Sequence, residues 1–142
     1  MYRHLYILSK TYYIFMRDVF QARLNKLPED QQNKLLKLRS ILLSLGGEDL
    51  VILDEGESEI DEILKDGQVF EATYKKVRGE VCNCHQNVIE QKEKHPDKYR
   101  IVTGYALSDD GLWRQHSWLV DKKNRTYETT MPRILYYGFI QT

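Results

Sequence analysis

Cys84 and His116 are the residues of this chain whose types and positions best suit nucleophilic chemistry. Cys84 lies in EVCNCHQNVIEQ, where it opens a predicted helix, and the unpaired N–H groups of a helix N-terminus lower the pKa of a thiol. Those N–H groups can also bind the oxyanion that forms when a carbonyl carbon is attacked. His116 lies in WRQHSWLVD, a predicted strand, and its imidazole can accept the thiol proton and return it to a leaving group. The pattern predicts Cys84 as a nucleophile and His116 as its base.

Cys82 is the other cysteine and lies two residues earlier, in the loop before this helix. It lacks the helix N-terminus, so the spacing favours Cys84 as the reactive thiol. A bridge between cysteines one residue apart would close a strained ring, and both are therefore expected as free thiols. The alternative interpretation is that Cys84 is a buried, unreactive thiol.

A catalytic base needs an orienting partner, and Glu128 in the next predicted strand, RTYETT, is available. Residues 122–124 can form a three-residue turn in which Asn124 takes the left-handed conformation. His116 then pairs with Thr130, and Glu128 lies on the diagonal of the same face, with Cβ atoms about 7–8 Å apart. A two-residue turn would place Glu128 on the opposite face, as a half-exposed surface residue. The orienting role of Glu128 therefore depends on the strand register.

Two further residues are placed near the predicted nucleophile and base. Asn87 follows Cys84 by three residues and shares its helical face, where it either holds a substrate carbonyl or ties down the neighbouring sheet. Trp118 shares a strand face with His116 and either forms a wall of the site or belongs to the core. Asn87 and Trp118 are therefore both predicted as substrate or oxyanion contacts, each with a structural alternative.

The elements that position these residues form an α+β pattern. Residues 1–47 have the apolar spacing of two helices. Residues 48–142 contain a predicted helix from about Cys84 to Lys94, followed by strands with the signals of an antiparallel sheet. At 142 residues the chain is expected to form a single domain, in which a central helix packs on an antiparallel sheet.

Charge and apolar patterning exclude several classes of protein. Lysine plus arginine and aspartate plus glutamate number 21 each, so the chain has no net charge and nucleic acid is not an expected partner. Arg3, Lys10 and Arg17 interrupt every apolar run near the start. Neither a signal peptide nor a transmembrane span is predicted, and we expect a cytoplasmic protein without membrane contact.

Four short motifs occur in an order that resembles small papain-like cysteine hydrolases of the NlpC type, particularly bacterial and phage members. The motifs are CHQN at the start of the helix, then GYAL, HSWLVD and ETT. The resemblance covers roughly residues 68–138 and implies a papain-like core within residues 48–142. It implies Cys84 as nucleophile, His116 as base and Glu128 as the residue that orients the imidazole.

A cysteine hydrolase or acyltransferase is therefore the expected activity, acting on an amide, isopeptide or thioester carbonyl through an acyl-enzyme intermediate. Members of the superfamily cleave peptide or isopeptide bonds, deamidate glutamine or transfer acyl groups, and the triad does not distinguish among these reactions. A protein or peptide substrate is expected. This chemistry requires no cofactor and no metal.

Two other classes of function use the same residues differently. One is a zinc site with a two-cysteine, two-histidine ligand set of Cys82, Cys84, His85 and His116, but the one-residue gap between the cysteines strains tetrahedral geometry and argues against it. A non-catalytic protein-binding or inhibitory module is the third class, in which the basic, tyrosine-rich first helix contacts an acidic partner or nucleic acid, although the neutral total charge and the helical spacing of the tyrosines favour core packing.

Overall fold

The computed structural model describes the backbone of residues 2–142 and the side chains from residue 10 onward. The side chain of Arg3, named above as a basic residue of the first helix, lies outside the described part. The helices are α1 (Tyr2–Asn25), α2 (Glu29–Leu45), α3 (Ile60–Asp66) and α4 (Cys84–Lys94). The strands are β1 (Asp49–Val51), β2 (Gln68–Phe70), β3 (Lys75–Lys76), β4 (Arg100–Leu107), β5 (Leu112–Val120), β6 (Thr126–Glu128) and β7 (Leu135–Ile140). The predicted α+β class and the predicted helix at Cys84–Lys94 are confirmed.

The strands form one mixed sheet in the order β2-β7-β4-β5-β6-β3, with β1 also paired to β5. The strands β4, β5, β6, β7 and β2 pair antiparallel. The expectation of a wholly antiparallel sheet is wrong, because β1 pairs parallel with β5 and β3 pairs parallel with β6. Both exceptions are two or three residues long, too short for side-chain alternation to reveal them, and the long connections that follow them permit parallel pairing.

The helices cover one face of this sheet. The apolar stripe of α2 is fully buried and packs against Tyr105 and Trp113 of the sheet. The central helix α4 packs on another part of the same face, where Val88 lies in a separate cluster with Leu119 of β5. The stripe of α2 comprises Leu35, Leu38 and Leu42. In the described part of the chain, none of the helices is both long enough and apolar enough to cross a membrane.

The opposite face of the sheet carries a second apolar cluster. Phe70, Trp118 and Tyr136 are its large members, and all three are nearly or completely buried. Side chains alternate along β5, so Trp113 and Leu119 point toward the helices whereas His116 and Trp118 point toward this second cluster. The predicted base therefore lies on the face opposite the body of α4.

The edge of β5 opposite β4 has a gap between its two partner strands, β1 and β6. β1 pairs with β5 at Leu112–Arg114, and β6 pairs with β5 only at Leu119 and Val120. Between these two partners, no strand in the described part of the chain pairs with residues 115–118 on this edge. The N-terminus of α4 meets β5 there, and a side chain at this point can reach residues on both faces.

Candidate active site

Cys84 is the first residue of α4 and is partly buried. The chain enters the helix through Cys82, which has a left-handed φ of 61° and an exposed side chain. No side chain in the described part of the chain caps the N-terminus of α4, so its first N–H groups are left without a side-chain acceptor. Free N–H groups beside a sulfur nucleophile are the donors that an oxyanion needs.

The Cys84 sulfur lies among three hydrogen-bond donors. Burial by itself raises the pKa of this thiol, but hydrogen bonds with the imidazoles of His116 and His85 and with the Ser117 N–H outweigh it. The net effect lowers the pKa of Cys84 from 9.0 to about 5. Because the Ser117 N–H donates to the sulfur, the sulfur occupies the unpaired edge of β5. At neutral pH the group is a thiolate.

His116 is 4 % exposed, and two aromatic rings lie together on one side of its imidazole. The rings of Trp118 and Tyr136 stack on it, at centroid distances of 6.2 and 6.4 Å. Its Nε2 lies 2.8 Å from Oε1 and 3.0 Å from Oε2 of Glu128, which leaves Nδ1 for the thiol. Burial lowers the pKa of His116, but hydrogen bonds with Cys84 and Glu128 raise it above 6.5 overall.

The strand register that aligns Glu128 with His116 follows from the turn between β5 and β6. Asn124 has the left-handed φ of 58° that was predicted for a three-residue turn. Beyond the turn, Val120 pairs with Thr126 and Leu119 with Tyr127. This register continues to Glu128 opposite Trp118, on the face that carries His116. The predicted turn and register are confirmed.

Glu128 is completely buried and its carboxylate is saturated with donors. Besides His116, it accepts a hydrogen bond from the Tyr136 hydroxyl at 2.8 Å. The N–H and the hydroxyl of Thr130 donate at 3.0 and 2.9 Å. Burial raises the pKa of this carboxyl, but its hydrogen bonds, led by the one from His116, hold the pKa below 4.5. Glu128 is therefore an ionised carboxylate that fixes the imidazole.

Asn87 lies beneath the segment that leads into α4 and is 3 % exposed. Its Nδ2 donates to the Glu80 carbonyl at 2.7 Å, and its Oδ1 accepts from the Glu80 N–H at 3.0 Å. A substrate carbonyl would have to displace Glu80 to reach the amide. The structure therefore places Asn87 as a support of the entry segment, in contrast to the oxyanion contact predicted from its helical position.

Replacement of Asn87 by alanine is expected to lower the free energy of unfolding by about 2 kcal/mol, because two hydrogen bonds to a backbone segment are lost. Urea denaturation measures the change. Gln86→Ala is the matched control on the exposed side of the same turn, where the amide donates to Glu90 at 3.3 Å, and we expect a change within about 0.5 kcal/mol. Equal effects of the two substitutions would contradict the supporting role of Asn87.

Trp118 has no exposed surface and cannot touch a substrate in this structure. Its ring lies 4.7 Å from that of Tyr136 and 6.0 Å from that of Phe70, measured between centroids. The indole N–H is one of the buried polar atoms without a partner in the described part of the chain. The structure therefore places Trp118 in the core behind the imidazole, which is the second of the two roles considered for it above, and not in the wall of the site.

His85 belongs to the site although the sequence reasoning considered it only as a metal ligand. Its Nδ1 lies 2.6 Å from Ser117 Oγ, and its Nε2 lies 3.1 Å from Gln115 Oε1. A hydrogen bond with Cys84 is the largest of the effects that raise the pKa of His85 to about 9. Its place directly after the nucleophile in the first helical turn is the sequence signal that could have identified it.

In the described part of the chain, no group of three or more histidine, cysteine, aspartate or glutamate side chains is placed to hold a metal ion. No family model, no curated protein and no solved structure matches this chain. The interpretation of the site therefore depends on its own geometry and chemistry.

Proposed function

We propose that this protein is a cysteine hydrolase or acyltransferase that attacks an amide, isopeptide or thioester carbonyl and forms an acyl-enzyme at Cys84. The observation that carries the proposal is the continuous contact from the Cys84 sulfur through the His116 imidazole to the Glu128 carboxylate, with Nε2 2.8 Å from Oε1. A partly buried cysteine at a helix N-terminus, with a base and an ionised orienting group, is the arrangement that nucleophilic catalysis needs.

In the first half of the reaction the Cys84 thiolate attacks the carbonyl carbon, and the carbonyl π-electrons move to oxygen. The uncapped N–H groups at the start of α4 are the donors for this oxyanion. When the tetrahedral intermediate collapses, the bond from carbon to the leaving nitrogen, oxygen or sulfur breaks. His116, protonated by the thiol in the resting site, gives that proton to the leaving group.

In the second half an acceptor resolves the thioester on Cys84. Neutral His116 takes a proton from water, or from an acceptor amine, as that group attacks the acyl carbon. The carbon–sulfur bond then breaks and returns the thiolate. The carboxylate of Glu128 remains ionised throughout and holds the imidazolium that forms in each half, as its four donors and lowered pKa favour.

The finer fold assignment is part of the same proposal. A cysteine that opens a helix, followed by antiparallel strands that carry the histidine and the acid, supports a papain-like core of the NlpC type in residues 48–142. Residues 1–47 lie outside that resemblance and cover the core through α2. We propose a protein or peptide as the substrate.

Alkylation with iodoacetamide tests the proposed nucleophile. We expect the labelling rate of Cys84 to be nearly constant from about pH 7 down to pH 6 and to reach half its maximum near pH 5, because its pKa is about 5 and the thiolate is the form present above it. An ordinary exposed thiol, with a pKa of about 8.5, loses about tenfold in rate for each pH unit in this range. Peptide mapping by mass spectrometry distinguishes Cys84 from Cys82.

The labelling rates of Cys84 and of an ordinary exposed thiol differ clearly at about pH 6. The thiolate fraction of Cys84 exceeds that of an ordinary thiol by about 300-fold, and the weaker nucleophilicity of a low-pKa thiolate reduces the rate advantage to about tenfold. The Cys82→Ser variant is the control, since it leaves Cys84 as the only thiol. Labelling of Cys84 that rises tenfold per pH unit up to about pH 8 would contradict the assignment.

A further inference from the structure

His85 and His116 approach the Cys84 sulfur from opposite faces of β5. His85 contacts Gln115 and Ser117, the two residues that flank His116 in the strand, and side chains at these positions point away from the face of His116. Ser117 links the arrangement, because its N–H donates to the Cys84 sulfur while its Oγ lies 2.6 Å from His85 Nδ1. The sulfur therefore lies between two imidazoles at the gap in the sheet.

The two imidazoles differ in what their nitrogens contact. The Gln115 carbonyl oxygen can only accept a hydrogen bond, so His85 Nε2 carries a proton. Ser117 Oγ can accept from Nδ1 of a protonated ring, because its own proton has an acceptor in Thr103 Oγ1 at 3.1 Å. Both N–H groups of a His85 imidazolium thus have neutral acceptors that hold the ring in place, and the Cys84 sulfur shares these N–H groups. His116, by contrast, has one nitrogen on a carboxylate and the other free for the sulfur.

The charged and titratable groups around His85 favour its cationic form. Cys84 on α4 is the nearest, and Glu59, which directly precedes α3, also raises the pKa of His85. From β5 the flanking residues Gln115 and Ser117 are neutral, and His116 faces the sulfur from the other side. The ring of His85 is exposed whereas that of His116 is 4 % exposed. The surroundings therefore suit a permanent positive charge at His85.

We propose that His85 is a second catalytic imidazole, a fixed positive charge that contacts the Cys84 sulfur and holds it as thiolate, so that His116 moves the proton. The transfer that this charge assists is the loss of the Cys84 proton to neutral His116, which gives a thiolate and an imidazolium. The proposal rests on the proposed function for the role of His116. The role of His85 is independent of turnover, because alkylation requires only the thiolate.

The test measures the pH midpoint of Cys84 alkylation by iodoacetamide in a Cys82→Ser background. His85→Asn removes the charge but keeps polar atoms near Ser117 and Gln115, and His116→Gln keeps a donor for Glu128. We expect each single variant to raise the midpoint from about 5 by about 1–3 pH units, as the loss of one adjacent opposite charge does. The double variant is expected to reach or exceed about 8.5, since burial then raises the pKa of the thiol.

Turnover of p-nitrophenyl acetate separates the two roles. At pH values above the midpoint of its own alkylation curve, the His85→Asn variant is expected to retain turnover within about tenfold of the parent. The His116→Gln variant is expected to lose about 10²–10⁴-fold in turnover at every pH. His95→Ala, at the far end of α4, is the control and should change neither quantity. Circular dichroism and thermal unfolding verify that each variant is folded.

Three results would overturn the proposal. They are an unchanged midpoint in His85→Asn, a midpoint near 8.5 in His116→Gln alone, and loss of turnover at every pH in His85→Asn. If the parent protein forms no acyl adduct with the ester, the proposed function fails. The alkylation midpoints still decide whether His85 holds the thiolate, so the two failures are distinguishable.

Discussion

Replacement of Cys84 by alanine is expected to abolish the acyl adduct that p-nitrophenyl acetate leaves on the protein and to reduce turnover by about 10³-fold or more. Removal of the nucleophile from a catalytic triad costs up to about 10⁶-fold, because the other members have no covalent step to assist. Intact-protein mass spectrometry measures the adduct as the mass of one acetyl group, and release of p-nitrophenolate measures turnover.

Cys82→Ser is the matched control for this experiment. Serine differs from cysteine by one atom and places the same Cβ at the left-handed φ of 61°. We expect the adduct and the turnover rate to stay close to those of the parent protein. An adduct that persists in Cys84→Ala and disappears in Cys82→Ser would assign the nucleophile to Cys82 and refute the proposed triad.

Replacement of Glu128 by alanine is expected to lower the free energy of unfolding by about 3–5 kcal/mol and to reduce turnover by about 10²–10⁴-fold. The stability loss follows because removal of one member of a buried pair leaves the other unpaired, here together with the hydroxyl of Tyr136 and two donors of Thr130. The rate loss follows because the imidazole is no longer held in one orientation. Urea denaturation and ester turnover measure the two effects.

The Glu128→Gln and Tyr136→Phe variants bracket this result. Glutamine keeps the shape of the glutamate side chain but places an amide N–H donor among groups that are themselves donors. We therefore expect the free energy of unfolding to fall by about 1.5–3 kcal/mol. Tyr136→Phe removes the hydroxyl that contacts Glu128 and Thr73 but leaves the contact between His116 and Glu128. We therefore expect a loss of about 1–2 kcal/mol and turnover near that of the parent. Equal losses for Tyr136→Phe and Glu128→Ala would contradict the central place of the carboxylate.

The stabilisation by this pair depends on pH in a direction that the pKa shifts determine. The pKa of Glu128 is lowered in the folded protein, so its contribution is fully present above 4.5 and is lost as pH falls through the lowered pKa. The pKa of His116 is raised, so its contribution is present below 6.5 and is lost as pH rises through the raised pKa. The stability difference between parent and Glu128→Gln should therefore be largest between pH 4.5 and 6.5.

The local sequence was sufficient to predict the elements that carry the three proposed catalytic residues. The helical pattern that begins at Cys84 and stops before Pro96 predicts α4 because such signals act within a few residues. The turn with left-handed Asn124 has the same local origin, and it determines the register of β6 on β5. Side-chain alternation then places Glu128 and His116 on one face, since the period of a strand is two.

The partners of the polar side chains could not be predicted in the same way. The contacts of Asn87 with Glu80 and of His85 with Ser117 join separate chain segments, seven and 32 residues apart. The burial of Trp118 depends on Phe70 and Tyr136, which reach it from other strands. A helical or strand face predicted from spacing states the direction of a side chain but not what it meets.

The local sequence specifies where α4 begins and, through the turn at residues 122–124, that His116 and Glu128 share one face of the sheet, because both depend on interactions between neighbours in the chain. Only the folded chain shows that, among the described residues, β1 and β6 leave the edge of β5 opposite β4 without a partner strand at residues 115–118. The start of α4 fills that gap, and only there can one sulfur contact imidazoles on both faces of a strand. The physical reason is that strand pairing is set by packing between distant segments, whose combined apolar burial outweighs the weak preferences of strands two or three residues long.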